Sequence, residues 1–565
     1  MGSRSLRALY LVPLLAGLAT WASAQSFRVQ CPTSTITHPD PTNAGVNNSE
    51  PAYTGPTTLT NTSPSVPAKG YLAPTANVNG AIKCQQISGG DGYSTMADGT
   101  QTFMFSFGPL SGLADIAAGK PGTEFPSVFN TIYPGTLAPG DPATTDGAND
   151  ITAGYTAGNG NTTAPTFTWN GAVGLTPDLD SIGDGRCTAP CLDGHVDPRQ
   201  IMDVGVMNGN IPAPLMAFDE DDEFFLTLTN VGMIMRPDLF EQHTVHFHGY
   251  PNASSFYDGV PDASVAINIG GSFTYYYLAP DAGTYFWHCH ITPPEHLQMG
   301  MVGQLYVRPR QNRVPSGGNL YTYLGYQNGI GLPVGTTADL RTACNPTADI
   351  LCSATMPAIN TGATQGTDKL GNPQKYTYND GDGLTAYDVE YPLQIHGFDP
   401  NFHFVGMTFN PEAFVDMKDK YFLLNGRSYP DTVTPGPLAT QTADSRSHYS
   451  QPLPSIINIP TGGKALLRIS DLDVTEYQTL ASLGIKMHVV GFNAKLLRDQ
   501  AGNNMDYYTN SITLGGGESL DVILDASNTT LYPSGSVFYL FTPQLDHLSN
   551  DAENFGGLMT EVHIN

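Results

Sequence analysis

Two short motifs of histidine and cysteine restrict the fold of this chain more than any other feature of its sequence. The first holds His243, His246 and His248, and the second is His288-Cys289-His290. In a β-strand, residues two apart project from one face, and the residue between them projects from the other. His246 and His248 should therefore aim at one common point, and His288 and His290 at another on their own strand, with Cys289 facing the opposite way. The pattern requires strands and predicts two sets of metal ligands.

The first predicted ligand set combines two imidazoles with a thiolate. His243, Cys289 and His296 supply these groups, and the thioether of Met301 follows nearby. A trigonal His2Cys set with a weak axial methionine suits a one-electron copper centre. Zinc could use the same residues, but the methionine adds nothing that zinc prefers. The sequence leaves the choice between Met299 and Met301 open, because both could reach the site. Methionine is also ordinarily a residue that fills the core.

The second predicted set is made of imidazoles alone. His246, His248, His288 and His290 suit copper that binds oxygen or another small oxidant. A single buried histidine is more often a hydrogen-bonded core residue, but six histidines and a cysteine in this alternation favour a metal site. The chain has seven cysteines. Proximity groups Cys31 with Cys84, Cys187 with Cys191 and Cys344 with Cys352 as candidate disulfides, which leaves Cys289 unpaired.

The rest of the sequence is typical of an all-β protein. Its 61 Gly and 44 Pro with only 13% charged residues argue against helical bundles. Short runs rich in aromatic and β-branched residues, bounded by turn residues, predict the strands of two sandwiches. These runs are Thr102 to Phe107, Glu223 to Asn230, Ser272 to Leu278, Gly283 to Trp287, Val302 to Val307, Tyr421 to Leu424, Ala465 to Ile469, His488 to Val490, Leu520 to Leu524, Val537 to Phe541 and Met559 to Ile564.

Composition along the chain predicts its organisation. Residues 1–24 read as a secretory signal, with Arg4 and Arg7 before an apolar stretch, and residues 25–80 read as an extended arm. We expect a first domain at 81–310 with an insertion at 109–198, a linker at 311–384, and a second domain at 385–565. The mature protein should be secreted or periplasmic, with no membrane span. The net charge of −27 makes nucleic acid an unlikely partner.

At this point the sequence resembles the multicopper oxidases and, more loosely, the two-domain copper nitrite reductases, both built from cupredoxin Greek-key sandwiches. The resemblance is closest over about residues 200–310. It is carried by Met207-Asn-Gly-Asn-Ile-Pro-Ala-Pro214, His243-Thr-Val-His-Phe-His-Gly249, Asp258-Gly-Val-Pro-Asp262, Gly283-Thr-Tyr-Phe-Trp-His-Cys-His290 and Met299-Gly-Met301. The order of these motifs makes the resemblance specific.

The resemblance implies a role for each ligand. His243, Cys289 and His296 would bind a type 1 copper with Met301 axial, and His246, His248, His288 and His290 would bind type 2 and type 3 coppers. The second domain resembles the copper-free middle domain of these oxidases. The trinuclear cluster of the family takes four imidazoles from each of two facing domains, and this chain offers four in motif form.

Three ways to complete the second site stay open. Isolated histidines (His396, His403, His488 or His547) could complete a smaller copper site, across a trimer interface as in the nitrite reductases. Alternatively, two chains could pool their histidines, or only the type 1 site could be redox active. The expected function is a secreted copper oxidoreductase that takes single electrons from a small-molecule or metal-ion donor and passes them through His288-Cys289-His290 to oxygen. The alternatives are a nitrite reductase-like enzyme and a non-catalytic electron-transfer protein.

Overall fold

The computed structural model describes two β-sandwiches that pack against each other. The residues it describes are 82–109, 209–220, 222–233, 236, 238–250, 254–269, 271–279, 281–321, 324, 362–408, 413–436, 438–441, 447–499 and 503–565. The predicted signal, the arm, nearly all of the 109–198 insertion, and the side chains of the six cysteines grouped as disulfides lie outside these residues. None of the described helices is both long and apolar enough to span a membrane.

The first sandwich has two sheets of four strands each. Its strands are β1 (Ile82–Thr95), β2 (Gln101–Pro109), β3 (Ala213–Asp219), β4 (Glu223–Gly232), β5 (His246–His248), β6 (Ser272–Leu278), β7 (Gly283–His288) and β8 (Val302–Arg308). One sheet has the order β2-β1-β4-β6 and the other has the order β3-β8-β7-β5. The short helix α1 (Pro293–Gln298) follows β7.

The second sandwich contains a seven-stranded and a five-stranded sheet. Its elements are β9 (Lys375–Tyr376), β10 (Ala386–Tyr387), β11 (Val389–Phe398), α2 (Pro400–Thr408), β12 (Tyr421–Leu424), β13 (Leu438–Gln441), β14 (Ser447–Gln451), β15 (Ile457–Ile459), β16 (Lys464–Asp471), β17 (Gln478–Leu483), β18 (Met487–Phe492), β19 (Lys495–Leu496), β20 (Tyr507–Thr509), β21 (Ser511–Leu514), β22 (Ser519–Asp525), β23 (Val537–Phe541) and β24 (Met559–Ile564). The larger sheet has the order β12-β11-β16-β22-β18-β19, with β20 paired to β18, and the smaller has the order β15-β24-β23-β17-β21. Strands β9 and β10 pair separately, as do β13 and β14.

Each sandwich encloses its own apolar core. The core of the first includes Trp287, Cys289, Met299 and Met301, all fully buried, so the predicted sulfur ligands lie inside a hydrophobic cluster. Phe402 from α2 of the second sandwich packs into this same cluster. The two sandwiches therefore share apolar contacts beside the predicted metal site. Burial of this kind is the dominant favourable contribution to folding.

Buried charges also join the two sandwiches. Glu390 in β11 accepts hydrogen bonds from Arg308 in β8, at 2.6 and 2.8 Å, and from Arg468 in β16, at 3.0 Å. Arg468 is fully buried and also lies 3.6 Å from Asp521 in β22. These contacts fix β16, and with it the loop that follows β16, against the first sandwich.

The predicted all-β architecture of two sandwiches is confirmed. Each of the eleven predicted strands coincides with a strand of the structure or lies within one. The exact domain limits stay predictions. One detail of the sequence reasoning is wrong: β7 ends at His288, so Cys289 and His290 lie just beyond the strand and not within it. The ring of His290 nevertheless stacks near that of His288, with centroids 5.6 Å apart.

Candidate metal centre

Strand pairing brings the two histidine motifs together. Strands β5 and β7 are antiparallel, with His246 opposite His288 and Phe247 opposite Trp287. Phe247 and Trp287 point into the apolar core and are fully buried. The alternation of a strand then turns the flanking histidines to the other face. The hydrophobic residues between the histidines thus fix the direction in which the imidazoles point.

Three buried side chains form what we call the thiolate cluster: His243, Cys289 and His296. One ligand atom from each lies within 4.8 Å of the other two, and all three residues are fully buried. The Nδ1 atom of His296 lies 3.2 Å from the Cys289 Sγ, and the backbone N–H of Thr244 donates to the same sulfur at 3.4 Å. Neither ring nitrogen of His243 has a hydrogen-bond partner among the described residues.

The electrostatics of the thiolate cluster favour a thiolate over a thiol. Burial opposes ionisation of Cys289, but the charge of His296 and the nearby His243 outweigh it and hold the pKa of this thiol well below its usual range. Burial lowers the pKa of His296, whereas Cys289 and Glu241 raise it to about 10. Thiolate is the form of cysteine that binds metals. A buried thiolate beside an unpartnered imidazole fits a copper ion of the His2Cys type.

Met301 is held next to the thiolate cluster by backbone hydrogen bonds. The N–H of Cys289 donates to the Met301 carbonyl at 3.2 Å, and the N–H of Met301 donates to the His296 carbonyl at 2.9 Å. Met299 is equally buried, but a side chain at Gly406 of α2 would meet its sulfur at 3.5 Å. Met299 thus packs towards the second sandwich, which leaves Met301 as the better candidate for an axial ligand.

A second group, which we call the imidazole cluster, consists of His246, His248 and His288. Their ligand atoms also lie within 4.8 Å of one another. Nδ1 of His248 and Nε2 of His288 are 3.3 Å apart. Two nitrogens bound at about 2.0 Å in tetrahedral geometry have about this separation. His290 is not part of this close group, although its ring centroid lies 5.1 Å from that of His246.

Backbone carbonyls orient two of these imidazoles. Nδ1 of His246 donates to the Asp258 carbonyl at 2.7 Å, and Nδ1 of His288 donates to the Cys289 carbonyl at 2.7 Å. The Asp258 carbonyl is in place because Gly259 has a φ of +81° and lies so close to Val245 that a side chain would clash. With Nδ1 protonated in this way, the Nε2 lone pair of each ring is available to a metal.

Burial keeps the imidazole cluster neutral. Burial, together with the nearby histidines, lowers the pKa of His248 to about 4 and that of His288 to about 3. Burial also lowers the pKa of His246. Metal binding needs the unprotonated ring, so these histidines are ready to bind a metal at neutral pH.

The imidazole cluster opens into a cavity of about 650 Å³ between the two sandwiches. One wall carries His246, His248, His288 and His290. The opposite wall comes from two loops of the second sandwich, which we call the acidic wall and which contributes Asp473, Glu476 and Glu518. The glycine run that precedes Glu518 lets its loop approach closely: a side chain at Gly517 would lie 3.5 Å from Nε2 of His248. The second sandwich thus faces the histidines with carboxylates.

The four isolated histidines of the second sandwich do not join the imidazole cluster. His396 and His403 contact the Gln298 carbonyl at 3.4 and 2.9 Å. His488 pairs with Asp506 at 3.0 Å, and His547 bridges Gln478 and Glu476. Each is buried, and among the described residues none of them has a ligand atom in the close group formed by the imidazole cluster.

Sequence reasoning missed several neighbours of the site. Glu241 lies 3.4 Å from Nε2 of His296 and is 27% exposed, which connects the thiolate cluster to the surface. Thr244 binds the Cys289 sulfur through its N–H and accepts the His290 N–H through its hydroxyl. Both lie within three residues of His243, which is the one signal that could have drawn attention to them. Nothing local marks the acidic wall, because the fold alone brings it to the site.

Comparison with known proteins supports the chemistry read from this geometry. Residues 193–312 match the multicopper oxidase family. Over this segment the chain is related to the multicopper oxidases. A multicopper oxidase of Talaromyces pinophilus is 35% identical over 112 residues, which is 20% of this chain and 17% of that protein. A copper-containing nitrite reductase of Rhizobium meliloti is 34% identical over 121 residues, 20% of this chain and 29% of that protein.

The comparisons are limited to one domain. The matched segment spans less than a third of either relative. Among solved structures, the blue copper oxidase of Nitrosomonas europaea aligns with a TM-score of 0.39 at 20% identity, over 63% of this chain and 78% of that one. That likeness is too remote to carry an argument. The multicopper oxidase relationship therefore applies to the domain that holds both clusters.

Proposed function

We propose that this chain is a secreted copper-dependent oxidoreductase of the multicopper oxidase type, which takes single electrons at the thiolate cluster and delivers them to oxygen at the imidazole cluster. One observation carries the proposal: Cys289 belongs to the first cluster, and its neighbour His288 belongs to the second. Bound copper would supply reversible one-electron redox chemistry at both positions.

In this proposal, His243, Cys289 and His296 would hold a type 1 copper, and the thioether of Met301 would be a further, weak ligand. The apolar core around them excludes water, and the Thr244 N–H stabilises charge on the sulfur. Electrons enter from a small-molecule or metal-ion donor where Glu241 links His296 to the surface. Its carboxylate favours donors that are cations or that release a proton.

His246, His248, His288 and His290 would hold the second copper set. The covalent link from Cys289 to its two neighbours joins the clusters through the backbone, and the Cys289 carbonyl bonded to Nδ1 of His288 adds a second connection. These residues orient the ligands and keep them neutral. The acidic wall disfavours an anionic acceptor such as nitrite, which supports the oxidase over the nitrite reductase alternative.

Oxygen uptake by copper-loaded protein, with Fe(II) or a phenol as donor, tests the proposal. Wild type should consume oxygen, and Cys289→Ser and His288→Ala should not. His563→Ala is the matched control, because His563 lies on β24 away from both clusters and pairs with Glu561. Nitrite reduction without oxygen uptake would select the nitrite reductase alternative. A coloured protein that is reduced and reoxidised without turnover would select electron transfer alone.

A homo-oligomer, trimeric in the nitrite reductase manner, is a separate part of the proposal. Among the described residues, no histidine of the second sandwich belongs to the imidazole cluster. The additional ligands of the second copper site would therefore come from the imidazole cluster of a partner chain. Light scattering combined with activity at falling protein concentration tests this. Specific activity that falls as the oligomer dissociates would support pooled histidines, and constant activity would contradict them.

A further inference from the structure

The cavity beside the imidazole cluster is much larger than a site for dioxygen requires. Its volume of about 650 Å³ falls in the range of pockets that bind whole small molecules. The cavity has both polar and apolar parts, because Phe286, Leu297 and Leu472 also line it. The space could therefore hold an organic molecule with an apolar body.

The carboxylates that line the cavity have no basic lysine or arginine beside them among its described lining residues. They belong to Asp473, Glu476 and Glu518. A polar cavity with unbalanced negative charge attracts cations, the more strongly because its walls exclude part of the solvent.

The carboxylates are held in place before any ligand arrives. Asp473 accepts hydrogen bonds from the Thr475 N–H at 2.8 Å and from Nε2 of Gln478 at 2.7 Å. Glu476 accepts from the buried His547 at 2.9 Å, and Glu518 accepts from the Gly515 N–H at 2.8 Å. These bonds engage only part of the acceptor capacity of Glu476 and Glu518, whereas Asp473 also accepts from the Thr475 hydroxyl and the Glu476 N–H. Preorganisation of this kind lowers the entropic cost of binding.

An aromatic ring completes the arrangement. Tyr477 lines the cavity, is 71% exposed, and packs so closely over Gly515 that a side chain there would meet the ring at 2.8 Å. An exposed aromatic face next to carboxylates attracts cations that carry an apolar group.

We propose that this cavity binds a small organic cation, a protonated amine with an aromatic or aliphatic body, with the ammonium group on Glu476 and Glu518. The ammonium donates hydrogen bonds to the carboxylates, while the body contacts Phe286 and Leu297. Binding at the acidic wall does not depend on copper. This binding deepens the proposed function only in its location, because the same cavity is lined by the imidazole cluster.

Calorimetric titration of the metal-free full chain tests the proposal, with benzylammonium as probe and benzyl alcohol and benzoate as its neutral and anionic counterparts. Benzylammonium should bind at one site per chain, and the other two should not compete. The double variant Glu476→Gln and Glu518→Gln should weaken binding by at least about tenfold, the loss expected for charge-assisted hydrogen bonds. Glu553→Gln, at an exposed glutamate elsewhere in the second sandwich, is the control and should bind as wild type does.

Several results would overturn the proposal. They are no binding of benzylammonium, equal affinity in the double variant and wild type, or tighter binding of benzoate than of benzylammonium. Circular dichroism of the double variant separates a lost site from a lost fold. Because the titration uses metal-free protein, its failure is distinguishable from failure of the copper-based function, which the oxygen-uptake assay measures. Weaker benzylammonium binding at high salt would add support, since screening acts on charge contacts.

Discussion

Our most specific stability prediction concerns the buried charges between the two sandwiches. Replacement of Glu390 by Gln keeps the shape of the side chain and removes its charge. Arg468, fully buried, then faces a neutral group in place of the carboxylate at 3.0 Å and keeps Asp521 at 3.6 Å, while Arg308 loses the charge it contacts at 2.6 and 2.8 Å. Breaking one partner of a buried pair typically costs about 3–5 kcal/mol. Because Gln retains hydrogen bonding, we expect a loss in unfolding free energy of about 3 kcal/mol.

The pH dependence of this loss follows from the environment of Glu390. Burial raises its pKa, but Arg308 and Arg468 outweigh burial and hold the pKa well below its usual range. A depressed folded-state pKa gives stability that is present above about pH 4.5 and is lost as the pH falls towards the folded-state value. The difference between wild type and Glu390→Gln should therefore be largest near pH 7 and shrink below about pH 4.

Urea unfolding of metal-free protein at pH 7 and pH 3 measures both effects. A loss of about 3 kcal/mol should lower the midpoint at pH 7 by about 1 M or more. Asp525→Asn is the control, because its pair with Lys464 is about a third exposed and should contribute no more than about 1 kcal/mol. A loss below about 1 kcal/mol at pH 7, or one that stays constant down to pH 3, would refute the account of the interface.

Three further changes address the metal centre. Met301→Leu in copper-loaded protein should keep the visible absorption and raise the reduction potential, measured by redox titration. Met299→Leu is the control and should change neither quantity. A raised potential in Met299→Leu and an unchanged one in Met301→Leu would assign the methionine ligand to Met299 instead. His403→Phe should alter the paramagnetic resonance spectrum of the thiolate cluster, because it removes the imidazole nitrogen that contacts the Gln298 carbonyl, two residues after His296. His403→Gln should partly restore the spectrum, and identical spectra would contradict a positioning role. Glu241→Gln should raise the KM of a cationic donor severalfold and leave that of a neutral donor unchanged, and equal effects on both would contradict electron entry there.

The thiolate and imidazole clusters could be predicted because their ligands are close in sequence and strand alternation is a local property. His246 and His248 lie two residues apart, and β5 pairs with β7 so that His246 faces His288. The strands were predictable for the same reason, since their aromatic and β-branched runs are local signals. The end of β7 at His288 could not be predicted, because it depends on where the pairing with β5 and β8 stops, at His246 and Val302.

The opposite side of the cavity could not be predicted from local pattern. Asp473 follows β16 and Glu518 precedes β22, and both lie in acidic or glycine-rich turns of an ordinary kind. They meet the histidines because long-range contacts hold β16 against the first sandwich: Glu390 binds both Arg468 and Arg308, and Gln304 of β8 donates to the Arg468 carbonyl. His403 is a similar case: its partners, Phe103 and Gln298, lie 300 and 105 residues away.

Stepwise addition of Cu(II) to metal-free protein, followed by visible absorption and paramagnetic resonance in wild type and Cys289→Ser, tests the central assignment most directly. We expect two distinguishable copper environments in wild type, one with intense visible absorption from a copper–sulfur bond. Cys289→Ser should lose that absorption alone and still bind copper at the imidazole cluster. A wild-type protein that binds copper without this absorption, or a variant that keeps it, would contradict the assignment.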